Sequence, residues 1–555
     1  MCRFWWLLLG GVVLLGPALA QHPVKARHAM VVAQEPLATD VGVETLASGG
    51  NGVDAAVAVA FALAVTHPAA GNLGGGGFLL ARLADGRSAF FDFRERAPGK
   101  AHRDMYLGPD GHLTDGSVIG WRASGIPGTV RGLELAHKKY GRKPWAKLVG
   151  PAIRLAKEGF PVSWHLAESL KNSKRLEAFP ESRRVFQRDG NYYQPGETLV
   201  QPELGRTLER IARGGASEFY EGETARRLVK EMEAHGGLFT LADLKDYQAV
   251  ERPVLRGRYK GYEILTAPPP SSGGVGLLQM LGVLENSGYE EAGHGAAATI
   301  HFVAEAMRRY YADRSEYLAD PDFFAVPVAR LLDRRYIEKL RRSIDPAHAR
   351  PSDQIRPGEF PDVESDQTTH LSIVDGEGNA VALTYTINGG YGSGVTVPGL
   401  GFLLNNEMDD FAAKPGEPNM FGLVQGEANA IQPGKRPLSS MTPTIVLRDG
   451  RLFLALGAPG GSRIINGVLQ VLLNVVDFRM NIQDAVDRPR FHHQWKPDTL
   501  SMEEGFSPDT VELLRRRGHQ VAPIGGVAVV EAILAADGWL EGGTDRRGHG
   551  KAAGY

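Results

Sequence analysis

Apolar positions fall into two kinds of pattern along the chain. Helical patterns run over 128–140, 145–157, 299–317 and 465–476. A further one covers 40–65, where glycines at 49, 50 and 52 interrupt a segment that is almost wholly apolar from Ala55 to Val65. A helix apolar on all sides belongs inside a large core. The run Pro268-Pro269-Pro270-Ser271-Ser272-Gly273-Gly274 predicts a rigid turn ahead of another apolar helix. Three other segments are β-rich and apolar on either side of an Asp-Gly turn: 78–93 around Asp85-Gly86, 369–386 around Asp375-Gly376-Glu377-Gly378, and 444–456 around Asp449-Gly450. Helices alternating with antiparallel hairpins predict an α+β protein whose sheets are covered by helices.

The hairpins also predict which residues meet. Ala84 facing Arg87 sets Arg94 opposite Gly77, beside Gly74-Gly75-Gly76-Gly77. Val374 facing Asn379 sets Thr368 opposite Tyr385, next to Thr386 and Asn388. Arg448 facing Arg451 sets Ser439 and Ser440 against Gly460 and Pro459. A one-residue slip would alter each pairing, yet small and polar residues collect at all three open ends.

Composition narrows the classes. The 555 residues carry 62 Lys plus Arg against 64 Asp plus Glu, so no charge excess invites a nucleic acid. With 69 Gly and 34 Pro but 43% hydrophobic residues, the chain reads as compact and turn-rich. No fixed-period repeat is visible, which disfavours solenoids and propellers. The single cysteine, Cys2, sits in an export-like segment: Arg3, an apolar run over 4–15, then Ala18 and Ala20 in a small-x-small cleavage pattern. An uncleaved anchor is the other reading, but the run is short for a span of about 20 residues. The expectation is a secreted or periplasmic protein without a stable membrane anchor. Cleavage after Ala20 removes the cysteine, and with it disulfides, thiol nucleophiles and thiolate metal sites.

The remaining chemistry is found by elimination. The chain has no G-x-S-x-G elbow, no G-x-x-x-x-G-K-[ST] loop and no H-E-x-x-H pair. The Gly74–Gly77 run predicts close backbone approach between layers. His492-His493 lacks helical ligand spacing and reads as a solvated or satisfied pair, so neither metal nor cofactor is expected. Asp366-Gln367-Thr368-Thr369-His370 opens a strand, which by itself is ordinary β propensity. Its neighbours give it a second reading. Thr386 and Asn388 are placed to bond the Thr368 hydroxyl, and Gly460-Gly461 offers two adjacent amides of oxyanion-hole type. A threonine at a new N-terminus carries its own base, since an α-amino group titrates near pH 7.7–8.0. That chemistry requires a cut between Gln367 and Thr368.

Six ordered motifs then meet a family. Asp92-Phe93-Arg94-Glu95, the Pro268–Gly274 run, Thr368-Thr369-His370, Asn405-Asn406-Glu407-Met408-Asp409-Asp410-Phe411, Lys435-Arg436-Pro437-Leu438-Ser439-Ser440-Met441 and Gly460-Gly461-Ser462-Arg463 closely resemble γ-glutamyltranspeptidases, from about residue 25 to the C-terminus. The resemblance implies a four-layer αββα N-terminal nucleophile (Ntn) hydrolase fold and a precursor that cuts itself. Its pieces would be a signal peptide (1–20), a large subunit (21–367) and a small subunit (368–555), the last two forming a heterodimer. It implies Thr368 as nucleophile, Thr386 as the residue orienting it, and Gly460 and Gly461 as oxyanion donors. Arg94 with Ser439 and Ser440 would hold the donor α-carboxylate; Glu407 and Asp410, helped by Asn388, would hold its α-ammonium. The donor would be glutathione or another γ-glutamyl compound, and the acceptor water, an amino acid or a peptide. The alternatives are a cephalosporin acylase-like amidase on the same scaffold and an inactive secreted binding protein. Gly52 stands where the family usually has alanine, a change expected to touch packing only. Residues 414–430 resemble the family's lid loop, with Phe421 where a tyrosine is frequent.

Overall fold

The computed structural model describes residues 22–358, 369–424 and 426–555. Two seven-stranded sheets lie face to face. One runs in the order Val24–Ala26, Trp539–Thr544, Glu531–Ala536, Arg451–Gly457, Thr444–Arg448, Tyr262–Thr266, Leu255–Tyr259. The other runs Lys551–Gly554, Met30–Ala33, Thr369–Val374, Ala380–Thr386, Gly76–Arg82, Ser88–Phe93, Val250–Arg252.

Strand periodicity explains the layering. Phe78 and Leu80 point between the sheets, where they meet Ile445, Ala455 and Ile533. The intervening Leu79 and Ala81 face the opposite way, into a core shared with the helices Pro36–Ala47, Gly52–Thr66 and Trp145–Glu158. On the far side, Val446, Leu454 and Leu456 pack against Gly273–Leu284, Ala297–Tyr317 and Arg463–Val476. Both faces of each sheet are therefore covered, which is why the hairpin strands read as nearly continuous apolar runs. The order helix, sheet, sheet, helix is the expected αββα arrangement.

Two expectations change in detail. The segment 40–65 forms two helices rather than one interrupted helix. Gly49 at φ 89 follows the end of the first, and Asn51 starts the second, its side chain accepting from Val53 and Asp54 while Asp54 accepts from the Asn51 amide. The glycines are thus a stop and a start. The hairpin registers also shift. The first pairs Gly77 with Phe93 and Arg82 with Ser88, because Leu83 and Arg87 close a three-residue loop; Arg94 lies beyond the paired strand and not opposite Gly77. The second pairs Thr369 with Tyr385 and Val374 with Ala380, one residue from the expected Val374–Asn379 pairing. The third begins as expected with Arg448 on Arg451, but a bulge between Val446 and Leu447 advances the register. Ser439 and Ser440 precede that strand, and Ser439 bridges Ser271 instead of facing Gly460.

Candidate active site

Arg94 stands at the centre. The Asp92 carboxylate accepts from the Arg94 amide at 2.9 Å, turning the chain as the strand ends, and the Tyr247 hydroxyl donates to the Arg94 carbonyl at 2.8 Å. The side chain is fully buried. Its guanidinium donates to the Pro437 carbonyl (3.1 Å), the Leu438 carbonyl (3.0 Å) and the carboxylates of Glu407 and Asp410. Arg94, Glu407 and Asp410, expected to take different groups of the donor, form one contiguous ion cluster. A wholly buried guanidinium without a carboxylate would bear a large desolvation cost. Although burial opposes the charge, Glu407, Asp410 and Glu95 together hold the Arg94 pKa above its ordinary value. Burial, then the charge of Glu407, pushes the Glu95 carboxyl well above the usual carboxylate range, and burial raises the Glu407 carboxyl as well, against the opposing pull of Arg94.

The second group follows the strand Ala380–Thr386. The Thr386 hydroxyl accepts from the Asn388 amide at 2.7 Å, which holds Asn388 at a left-handed φ of 69. Asn388 Nδ2 donates to the Asn406 carbonyl at 2.9 Å, while its Oδ1 is buried without a partner among the described residues. That oxygen is a ready acceptor beside Glu407. The glycine run permits this crowding: a Cβ on Gly75 would lie 1.8 Å from the Thr386 carbonyl, and one on Gly74 would lie 2.3 Å from the Leu403 carbonyl. The run is a close backbone approach, as expected.

The third group lines the opposite wall. Ser439 and Ser440 are buried, and the Ser439 carbonyl accepts from the amide (2.6 Å) and hydroxyl (2.8 Å) of Ser272. Arg314 donates to Ser440 Oγ at 2.7 Å and to Ser272 Oγ at 2.8 Å. Gly460 and Gly461, at φ 139 and 66, lead into the helix Arg463–Val476. Their amides donate to no backbone carbonyl among the described residues, leaving two donors at a helix N-terminus. Tyr311 donates its hydroxyl to the Ser462 carbonyl beside them.

Contacts thus join nearly all the expected site residues: Thr386 to Asn388, Asn388 to Asn406 beside Glu407, Glu407 to Arg94, Arg94 to Leu438, and on to Ser439 and Ser440. Gln367 and Thr368 lie outside the described residues, as do the export segment and Cys2. Met420 and Phe421, in the loop resembling a lid, border both walls: Met420 bonds Asp409 through its amide at 3.3 Å, and the Phe421 carbonyl accepts from Gln494 at 3.4 Å. His492 and His493 are satisfied rather than solvated, bonded to Asn466 and to Arg308 respectively. Among the described residues no His, Cys, Asp or Glu cluster could hold a metal ion. Sequence reasoning missed Tyr247, Tyr311 and Arg314. For Tyr311 and Arg314 the available signal was the helix Ala297–Tyr317, polar around much of its girth yet long and regular, and here almost entirely buried; Tyr247, at the end of the short helix Leu241–Asp246, had none.

Comparison with known proteins adds an independent finding. The family model described as Gamma-glutamyltranspeptidase matches residues 38–555. The glutathione hydrolase proenzyme of Escherichia coli (strain K12) is 50% identical over 530 residues, covering 95% of this chain and 91% of that protein. The crystal structure of a cephalosporin acylase from Bacillus halodurans superposes with a TM-score of 0.87 at 28% identity, covering 99% of each chain. The Helicobacter pylori gamma-glutamyltranspeptidase structure matches at 45% identity and a TM-score of 0.58, covering 59% of this chain and 94% of its own.

Proposed function

The chain belongs to the gamma-glutamyltranspeptidase family, and on that premise we propose how its residues carry out γ-glutamyl transfer and glutathione hydrolysis. It is an N-terminal threonine hydrolase made as a proenzyme that cuts itself. In the proposed first step Thr368 Oγ1 attacks the Gln367 carbonyl, and water opens the resulting ester. This frees the Thr368 amine as a base and divides the chain into 21–367 and 368–555. In turnover the same oxygen attacks the γ-amide of glutathione or another γ-glutamyl compound, and the amine hands the proton to the leaving cysteinylglycine. Gly460 and Gly461 amides receive the oxyanion, and Thr386 orients the nucleophile. The γ-glutamyl ester then passes to water or to the amine of an amino acid or peptide.

One observation carries the donor assignment: the buried Arg94–Glu407–Asp410 cluster beside the Asn388 Oδ1 and the paired serines Ser439 and Ser440. This set offers donors for an α-carboxylate and acceptors for an α-ammonium close together. We place the protein outside the cytoplasm through its N-terminal segment; among the described residues no helix is long and apolar enough to cross a membrane. An acylase remains the second reading, favoured by the full-length likeness to the Bacillus halodurans cephalosporin acylase. The two separate on substrate. Release of p-nitroaniline from γ-glutamyl-p-nitroanilide is expected to exceed deacylation of a glutaryl β-lactam, and the reverse preference overturns the assignment. On a denaturing gel the purified protein is expected to give two bands, and Thr368→Ala one.

A further inference from the structure

The two serines on the donor wall do not stand alone. Ser440 Oγ lies 2.7 Å from Arg314 Nη2, and Ser272 Oγ lies 2.8 Å from Arg314 Nε. Arg314 is fully buried. Arginine has donors and no acceptor, so in this contact Ser440 must accept. Its own proton is then directed elsewhere. Among the described residues its hydroxyl neighbour is Ser272 Oγ, 3.4 Å away, which already receives Arg314 Nε. Ser272 in turn spends its proton on the Ser439 carbonyl at 2.8 Å. The guanidinium is itself held firmly. Its helix, Ala297–Tyr317, is pinned by Tyr310, whose hydroxyl donates to the Ser272 carbonyl at 2.9 Å, and by Tyr311, which donates to the Ser462 carbonyl.

We propose that Arg314 is a positioning residue for donor selection: it fixes the Ser440 hydroxyl as a hydrogen-bond donor toward the α-carboxylate of the γ-glutamyl substrate. The proposal rests on the reading above that Ser440 contacts that carboxylate. Arg94 is already engaged by Glu407 and Asp410, so a second buried guanidinium, acting through one hydroxyl, supplies polarisation that Arg94 alone does not. A donor lacking the α-carboxylate gains nothing from this arrangement. The device therefore discriminates among substrates and leaves the acyl-transfer step untouched.

The test is a double-mutant cycle on the processed enzyme, using Arg314→Gln, Ser440→Ala and the pair. Each is assayed with γ-glutamyl-p-nitroanilide and with 4-aminobutyryl-p-nitroanilide, which lacks the α-carboxylate. Arg314→Gln is expected to raise KM for the first donor about five- to twentyfold at nearly unchanged kcat, to leave the second donor within about twofold, and to add little once Ser440 is alanine. Arg314→Lys keeps the charge on a single donor nitrogen without the planar fork and is expected to recover part of the loss; it also carries the cycle if the glutamine variant does not fold or self-process. Equal losses on both donors, or additive effects of the two substitutions, would refute the role of Arg314. If Ser440→Ala itself leaves KM unchanged, the donor-site reading fails instead, and the two failures are thereby told apart.

Discussion

At the scale of single residues, the charge cluster sets what substitution can do. Removing Arg94 leaves Glu407 and Asp410 buried without a guanidinium and, on the donor reading proposed above, takes a charged partner from the substrate carboxylate. A charge-assisted bond is worth about 1.5 to 3 kcal/mol, so Arg94→Met is expected to lower kcat/KM about ten- to hundredfold, chiefly through KM. The stranded carboxylates add a stability loss of about 3–5 kcal/mol, visible as a lower Tm. Arg94→Lys should recover charge without the planar fork and rescue both in part. A processed Arg94→Met enzyme with unchanged KM and Tm would remove Arg94 from the site. These residues were legible in the sequence because they occupy compact motifs, such as Asn405–Phe411 and Lys435–Met441. Arg314 was not legible, since it acts through Ser440 and sits on a helix whose buried charges mask any apolar stripe. The mutual pairing of Arg94 with Glu407 and Asp410 was equally hidden: 313 and 316 residues separate the partners, and only the fold brings them together.

At the scale of elements, what the sequence concealed was register. The strands, their turns and their apolar faces followed from alternation, but loop length decides pairing, and a third loop residue at Ala84-Asp85-Gly86 moved Arg94 off the sheet. The bulge beside Leu447 has no composition signal at all. Two glycines now make opposite predictions. A Cβ at Gly75 would stand 1.8 Å from the Thr386 carbonyl and 2.8 Å from Asn72 Oδ1, in a place where backbone has no room to give. Gly75→Ala is therefore expected to cost at least about 1–3 kcal/mol and to impair self-cleavage, because the displaced strand end carries Thr386 and Asn388. At Gly52 the added Cβ would meet Val381 Cγ2 at 3.4 Å and Asp375 Oδ2 at 3.5 Å, ordinary contacts at the first turn of a helix. Gly52→Ala should leave activity unchanged and raise stability by up to about 1 kcal/mol. Thermal melts of the two variants with a processing gel check both, and a tolerated Gly75→Ala would contradict the close packing described.

At the scale of the whole molecule, two properties follow from how its layers are joined. Buried histidines are spread through them: His67 is held down to about 4, His370 and His492 to about 3, and His519 to about 2, in each case first by burial. The fold keeps these rings neutral, whereas the unfolded chain takes up protons as pH falls below about 6.5. The contribution of these histidines to stability is therefore fully present above that value and is lost progressively between pH 6.5 and about 3. His370, bonded to Thr384 at 2.8 Å and Ser372 at 2.9 Å between the sheets, allows a specific check. His370→Gln should melt below the native protein at pH 7.5, and the gap should narrow toward pH 4; a constant gap means the ring is not held neutral. The second property concerns the cut. Strands on both sides of position 367 interleave in each sheet. Met30–Ala33 pairs with Lys551–Gly554 and with Thr369–Val374, and Ala380–Thr386 pairs with Gly76–Arg82. In the other sheet Val24–Ala26 pairs with Trp539–Thr544, and Tyr262–Thr266 with Thr444–Arg448. Separating the fragments would expose the apolar layer between the sheets and break five strand pairings at once. Cleavage between Gln367 and Thr368 should therefore leave a complex that elutes as one species under native conditions and unfolds in a single transition in which both chains melt together. Thr368→Ala precursor should melt close to the mature enzyme, since the cut removes one covalent link and none of these pairings. Release of the 368–555 fragment from mature enzyme under native conditions would show that the shared sheets do not hold the two chains together.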